Sequence, residues 1–192
     1  MELQVLLKMD LRVERTLRAI QDSFIDLVLE TGFEKVTVRG LARRAQINPK
    51  TFYDHYADKY DLVNQLAQEF VDRYQQMLQV RFEGVKMLGT GLTLTPAPEN
   101  IICELVAQPV MKRLWLALSS INFAGFDFET RVSQALAEYL QAAGITSDPL
   151  ELDVISTCAC KTMNYYFQTG ERFSAERQKK LVMLLDALLA QS

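Results

Sequence analysis

Residues 37–62 read TVRGLARRAQINPKTFYDHYADKYDL, and the fold turns on how they are interpreted. The segment predicts two short helices joined by a tight turn, followed at once by the start of a long helix. Thr37 is placed to cap the first helix, where its hydroxyl can accept a bond from a backbone N–H that has no partner inside the helix. Leu41, Ala42 and Ala45 give that helix an apolar stripe, while Arg39, Arg43 and Arg44 leave its outer side basic. Gln46-Ile47-Asn48 is the turn, with Ile47 set to plug the angle between the helices. Asn48 before Pro49 is a start signal, an N-cap followed by proline at the first helical position. Phe52 and Tyr56, four residues apart, face inward together. Pro49, Lys50, Thr51, Tyr53, Asp54 and His55 are left for the other sides. A short helix with an apolar seam and a small, polar, partly basic outer face can enter a DNA major groove.

The string Asn48-Pro49-Lys50-Thr51-Phe52-Tyr53-Asp54-His55-Tyr56-Ala57-Asp58-Lys59, with Leu62 after it, resembles the helix-turn-helix signature of TetR-family transcriptional regulators. Gly32-Phe33, Thr37-Val38 and Leu41-Ala42 stand upstream at matching offsets, and the resemblance covers roughly residues 12–65. It implies an all-α fold of about nine helices. Residues 1–57 would form a three-helix DNA-binding domain, and residues 58–192 a helical domain for ligand binding and dimerisation. The implied activity is that of a homodimeric repressor, released from a palindromic double-stranded DNA operator by a small-molecule effector. By the same resemblance Pro49, Lys50 and Thr51 face the bases, while Tyr53, His55 and Lys59 grip the backbone. Thr37, Arg39, Asn48 and Asp54 complete the expected DNA-binding set. One position departs from the pattern, for the family commonly has glycine in the turn where this chain has Gln46. If that residue is left-handed, its side chain costs about 1–2 kcal/mol.

The chain has 192 residues, of which 49% are apolar, so it can build a full core. Net charge is -3, and its distribution says more than the total. Residues 1–60 hold ten Lys/Arg against nine Asp/Glu, and the remainder eleven against fifteen. DNA reading must therefore rest on local placement of basic groups rather than on a strongly basic domain. Three cysteines and no signal peptide lead to the expectation of a reducing, cytoplasmic setting. No apolar run approaches the roughly 20 residues of a membrane-spanning helix, so no membrane partner is expected.

In chain order the reading is helical nearly throughout. Leu17, Ile20, Phe24, Leu27 and Val28 predict a first helix from about Asp10 to Glu30, ended by Thr31-Gly32. Asp58 caps a fourth helix that keeps period to about Phe82. Glycines and prolines interrupt residues 84–99, where a loop is expected. Helices follow around Glu99–Ala107, Pro109–Ser119 and Glu129–Ala143, the last ended by Gly144. Asp148-Pro149 opens a long apolar helix to about Thr169, closed by Gly170. Ser174 caps a final helix with Leu181, Leu184, Leu185, Leu188 and Leu189 on one face. The only strand candidate is LTLT at 92–95. The last two helices could merely close the monomer core, or could form half of a four-helix bundle with a second copy. The resemblance, whose members dimerise through their last two long helices, favours the homodimer.

Other chemistry finds little support. Cys158 and Cys160 are two apart on a predicted helix, so they cannot chelate one metal. The one histidine, His55, lies in the DNA motif, and no metal or cofactor is expected. No nucleophile–base pair is visible, so no enzyme activity is expected. Cys103, Met111, Trp115, Phe123, Phe126, Asn164, Tyr165 and Tyr166 fit plain core on general grounds. The resemblance makes the same set a candidate effector pocket. Two function classes remain: a ligand-responsive DNA-binding repressor, and an all-helical ligand-binding or interaction protein using the helix-turn-helix only as scaffold. The outward Lys50, Thr51, Tyr53, His55 and Lys59 favour the first, since a scaffold has no need of such an array.

Overall fold

Ile20, Phe24 and Val28 recur at helical spacing and are almost fully shielded, so the first helix, α1 (Glu2–Thr31), turns a continuous stripe inward. The computed structural model describes residues 2–82 and 108–171 and, beyond them, residues 174, 176, 177, 180 and 183. Helix α1 begins eight residues before Asp10, because nothing between Glu2 and Asp10 is glycine or proline and no stop signal intervenes. Gly32, at φ 83, ends it. A 3-10 turn, Phe33–Lys35, then tucks Phe33 against Phe24, with ring centroids 6.3 Å apart.

The next elements are held by their caps. Helix α2 (Val38–Arg44) starts where Thr37 accepts a bond from the Gly40 N–H, and α3 (Pro49–Tyr53) where Asn48 accepts one from the Lys50 N–H. Between them, the Ile47 N–H reaches the Ala42 carbonyl at 3.0 Å and the Gln46 N–H reaches the Arg43 carbonyl at 3.3 Å. This is the Schellman pattern, with Gln46 in the left-handed position at φ 56. Helix α4 (Lys59–Phe82) is capped by Asp58, whose Oδ1 accepts from the N–H groups of Tyr60 and Asp61, each at 2.8 Å. Its Leu62, Leu66, Phe70, Tyr74 and Leu78 follow one buried face. Gln21 of α1 donates to Glu69 of α4 at 3.0 Å, joining the two long helices.

The second half is built on α5 (Pro109–Ser119), α6 (Phe128–Ala142) and α7 (Pro149–Thr169). Asp127 caps α6 through the Thr130 N–H, and those bonds hold its carboxyl below the usual range. Asp148 caps α7 through the N–H groups of Leu150 and Glu151, and Gly170, at φ 67, closes it. Trp115 sits at the centre, with the rings of Phe128 and Phe167 each 5.2 Å away and Phe70 of α4 at 5.5 Å. Helix α6 packs on α4 and α7, and α5 packs on α1, α4 and α7.

Among the described residues there are seven α-helices, one 3-10 turn and no strand, and the fold class is all-α. The expected loop at 84–99, the helix at 99–107, the LTLT segment and the leucines from 181 onward lie outside the described residues. Ser174 does cap, its Oγ accepting from the Arg177 N–H at 3.3 Å.

Gly144 closes α6 with the bond pattern that Gln46 completes after α2: its N–H meets the Gln141 carbonyl, and the Ile145 N–H meets the Leu140 carbonyl, both at 3.0 Å. Glycine adopts this conformation freely and glutamine does not. Gln46→Gly should therefore raise stability by about 1 kcal/mol, less than the full left-handed cost because glycine loses more chain entropy on folding. That corresponds to about 2–4 °C in melting temperature, readable by calorimetry. Gly144→Ala should lower it by a similar amount. A Gln46→Gly protein that melts at or below the parent temperature would disprove strain in this turn.

Candidate nucleic-acid interface

A five-residue helix presents few sides, and α3 divides them cleanly. Phe52 points inward, and Tyr56, which lies just beyond the end of α3 rather than on the helix itself, joins it in the core with ring centroids 5.4 Å apart. Burial pushes the Tyr56 phenol above its usual range. Pro49, Lys50, Tyr53 and Asp54 are exposed, while Thr51 and His55 are half-buried. Tyr53 is a large aromatic left 58% exposed, its ring edge-on to Phe52 at 5.5 Å. Asn48 is spent on its cap, the Lys50 N–H lying 2.8 Å from Oδ1, so it fixes where α3 begins.

Beside α3 lies a concavity of about 500 Å³ lined by Thr37, Arg39, Gly40, Arg43, Ile47 and Pro49. Arg39 and Arg43 are exposed and form no ion pair among the described residues. Two guanidinium groups on a concave rim next to a polar helix suit a phosphate diester. The third arginine of α2 is used differently. Arg44 grips both oxygens of Glu30 at 2.6 Å and reaches Asp26 at 3.3 Å. Those partners raise its pKa and clamp α2 to α1. Asp26 also takes Arg113 of α5.

Lys59 is also drawn inward. Its Nζ donates to the carbonyls of Phe33 at 3.1 Å and Val36 at 3.2 Å, and lies 4.3 Å above the Phe33 ring. It braces the peptide that leads into Thr37 and leaves one ammonium proton for anything outside. The sequence held one sign of this. A cation in the first turn of a helix opposes the dipole, so a lysine directly after the Asp58 cap needs local carbonyls to hold it.

The residues expected to form a ligand pocket do not gather in one place. Met111, Trp115 and Tyr166 are buried in the core, and Trp115 Nε1 donates to Asn164 Oδ1 at 3.0 Å. Tyr165 is exposed, with the Arg177 guanidinium 5.1 Å over its ring. Phe123 packs instead against Phe33 and Tyr60 of the first half. Cys103 lies outside the described residues. A groove of about 790 Å³ opens between the end of α5, α6 and α7, and of the expected set it takes only Phe126. Its apolar lining includes Leu118, Ile121, Phe128 and Leu152; Ser119, Asn122, Ser133, Gln134, Ser156 and Thr157 are polar, and Glu129 and Lys161 pair at its edge. Ser156 is buried beside the groove, its Oγ donating to the Leu152 carbonyl of its own helix at 2.7 Å. Cys160 also lines the groove, and burial pushes its thiol up. Among the described residues no three His, Cys, Asp or Glu side chains converge to hold a metal. No helix there is long and apolar enough to cross a membrane.

The family described as bacterial regulatory proteins, tetR family, matches residues 25–66, the span from the second half of α1 into α4. An uncharacterized HTH-type transcriptional regulator, YxbF of Bacillus subtilis (strain 168), is 37% identical over 62 residues. That match takes in 32% of this chain and only 16% of the relative's length. The crystal structure of a TetR-family transcriptional regulator from Streptomyces coelicolor superposes with a TM-score of 0.58 at 24% identity, over 92% of this chain and 98% of that one. A gamma-butyrolactone receptor described as an ArpA-like protein superposes at 0.55 with 18% identity, over 95% of this chain and all of the other. At such identities the two structures speak for the fold, and they extend the likeness beyond the matched helix-turn-helix. Residues 25–66 thus carry a segment that matches the tetR family of bacterial regulatory proteins, set in a chain whose fold is similar to that of a TetR-family regulator.

Proposed function

We propose that the chain is a transcriptional regulator that binds double-stranded DNA as a homodimer and is released by a small molecule. The observation that carries this reading is α3 with the turn that follows it: a capped helix with Phe52 inward, Tyr56 buried just beyond its end, and Pro49, Lys50 and Tyr53 outward, flanked by Arg39 and Arg43. In the proposed division residues 1–57 read DNA and residues 58–192 bind ligand and dimerise. Lys50 and Thr51, in the first turn, meet base edges, where lysine donates to guanine and threonine offers hydroxyl and methyl. Tyr53, His55 and Arg39 hold phosphates, and the last proton of Lys59 adds to them. Asp54, exposed on the same surface, accepts from a cytosine amino group.

Dimerisation is supported by α7, which buries Cys160, Met163, Tyr166 and Phe167 on one side and leaves Leu150 71%, Val154 49% and Ile155 37% exposed. Cys158 lies one turn beyond Val154 and is exposed too. One five-residue helix reads too few base pairs, and a two-fold pair reads two half-sites. For the effector, the groove bounded by α6 and α7 offers the space, and a fold neighbour is described as a receptor for a gamma-butyrolactone.

The reading is tested by selecting bound fragments from genomic DNA and measuring affinity for the selected site. Log affinity should fall with log salt at about -0.9 per phosphate contacted, despite the acidic total charge. Lys50→Ala should flatten preference at one position of each half-site by about 1–3 kcal/mol. Tyr53→Phe should weaken all sequences alike, since phosphates carry no direct sequence information. A salt-independent affinity, or a Tyr53→Phe protein with a rewritten preference, would refute this division of labour.

Val154→Glu tests the dimer. The side chain is exposed in the single chain, so folding should be retained, whereas a two-fold interface would bury two unpaired carboxylates. Sedimentation should show a monomer with unchanged helix content and operator affinity reduced more than tenfold. A Val154→Glu protein that sediments as the parent does would remove α7 from the interface.

A further inference from the structure

The loop between α5 and α6 reaches the helix-turn-helix unit through Phe123. It turns at Ala124-Gly125, with Gly125 at φ 81 and the Phe126 N–H bonded to the Phe123 carbonyl at 3.0 Å. That turn stacks the two phenylalanines, centroids 4.9 Å apart and planes 12° apart. Phe123 then fits between Phe33, at 5.7 Å and 25°, and Tyr60, at 4.9 Å and 76°. Phe33 belongs to the turn that leads into α2, and Tyr60 to the first turn of α4. Arg131 backs the loop, its guanidinium 5.0 Å over Phe126 and its Nη2 donating to Asn64 Oδ1 at 2.8 Å.

We infer that Phe123 is a positioning residue for DNA reading: its ring wedges the turn before α2 against the start of α4 and sets the angle of the recognition helix to the rest of the protein. This rests on the DNA-binding function proposed above. Phe123 touches the ring of the residue whose carbonyl holds Lys59, so the wedge and the brace share Phe33. Another polar tie between the halves, Arg113 to Asp26, joins side chains 43% and 35% exposed, and pairs so exposed hold geometry weakly. Interlocked rings hold one arrangement, because a stacked and an edge-on neighbour together leave little freedom of tilt. Ile121, Asn122 and Phe126 of the same loop wall the groove. A shift of that wall therefore shifts the wedge.

The test compares the parent protein with Phe123→Ala, Phe123→Leu and Phe123→Tyr as full chains. NMR residual dipolar couplings ask whether residues 37–56 and 128–169 share one alignment tensor. The parent and Phe123→Tyr should give one tensor, and Phe123→Ala two. Affinity for the DNA fragment selected by the parent should fall at least tenfold in Phe123→Ala and stay within twofold in Phe123→Tyr. If Phe123→Ala does not fold, Phe123→Leu, which keeps the apolar bulk without the stacked ring, takes its place with the same expectations. A single tensor in the ring-less variant, or an unchanged affinity alongside two tensors, overturns the inference. Should the parent select no DNA, the DNA-reading function fails separately, and the tensors alone decide whether the wedge exists.

Discussion

Five residues of helix cannot sustain themselves in water, where nucleation alone makes anything shorter than about 12–15 residues marginal. Helix α3 therefore exists only because its surroundings impose it, and much of the structure can be read as the means of doing so. Phe52 and Tyr56 fasten its inner side to the core. Asn48 and Pro49 set its first turn, and the Schellman turn at Gln46 sets the direction from which the chain arrives. The outer side is left free of packing duties, and Lys50 and Tyr53 stay exposed on it.

The charges of the first half sort by the same logic. Three arginines stand on α2, yet Arg44 faces α1 and is held by Glu30 and Asp26. Arg39 and Arg43 look outward beside α3. Lys59, which the family pattern would spend on DNA, is turned toward two backbone carbonyls. Each of these pairs is partly exposed and of modest energy by itself. Their value is directional, since together they tie α2 to α1 and the turn before α2 to the start of α4. An overall acidic chain can in this way present a locally basic rim.

The aromatic residues divide into two groups that composition alone does not separate. Around Trp115, the rings of Phe70, Phe128 and Phe167 form a buried centre, with the indole N–H satisfied by Asn164. Phe33, Tyr60, Phe123 and Phe126 form a second cluster at the joint between the halves. The groove lies beside the loop that feeds the second cluster, and its walls are about as polar as apolar, unlike the Trp115 centre.

Local chemistry made the helix boundaries legible in the sequence. Thr37, Asn48, Asp58, Asp148 and Ser174 act as caps because their side chains bond backbone N–H groups two or three residues on, a range the sequence itself spans. The inward pair Phe52 and Tyr56, the glycine stops and the strain at Gln46 follow from helical period and φ preference in the same way. Interactions between residues far apart along the chain were not legible. Lys59 meeting the Phe33 and Val36 carbonyls, Arg44 meeting Asp26, Trp115 meeting Asn164 and Phe123 leaving the expected pocket for Phe33 all join segments 18 to 90 residues apart. Cap and period are set by neighbours in sequence, so residue order alone marked the capped starts of the described helices and the inward pair of the short one. The start of α1, which has no cap or breaker to mark it, fell eight residues before the expected Asp10. Which cation stays free, which aromatic is core and where the groove opens depend on how the helices pack, and only the tertiary structure decided them.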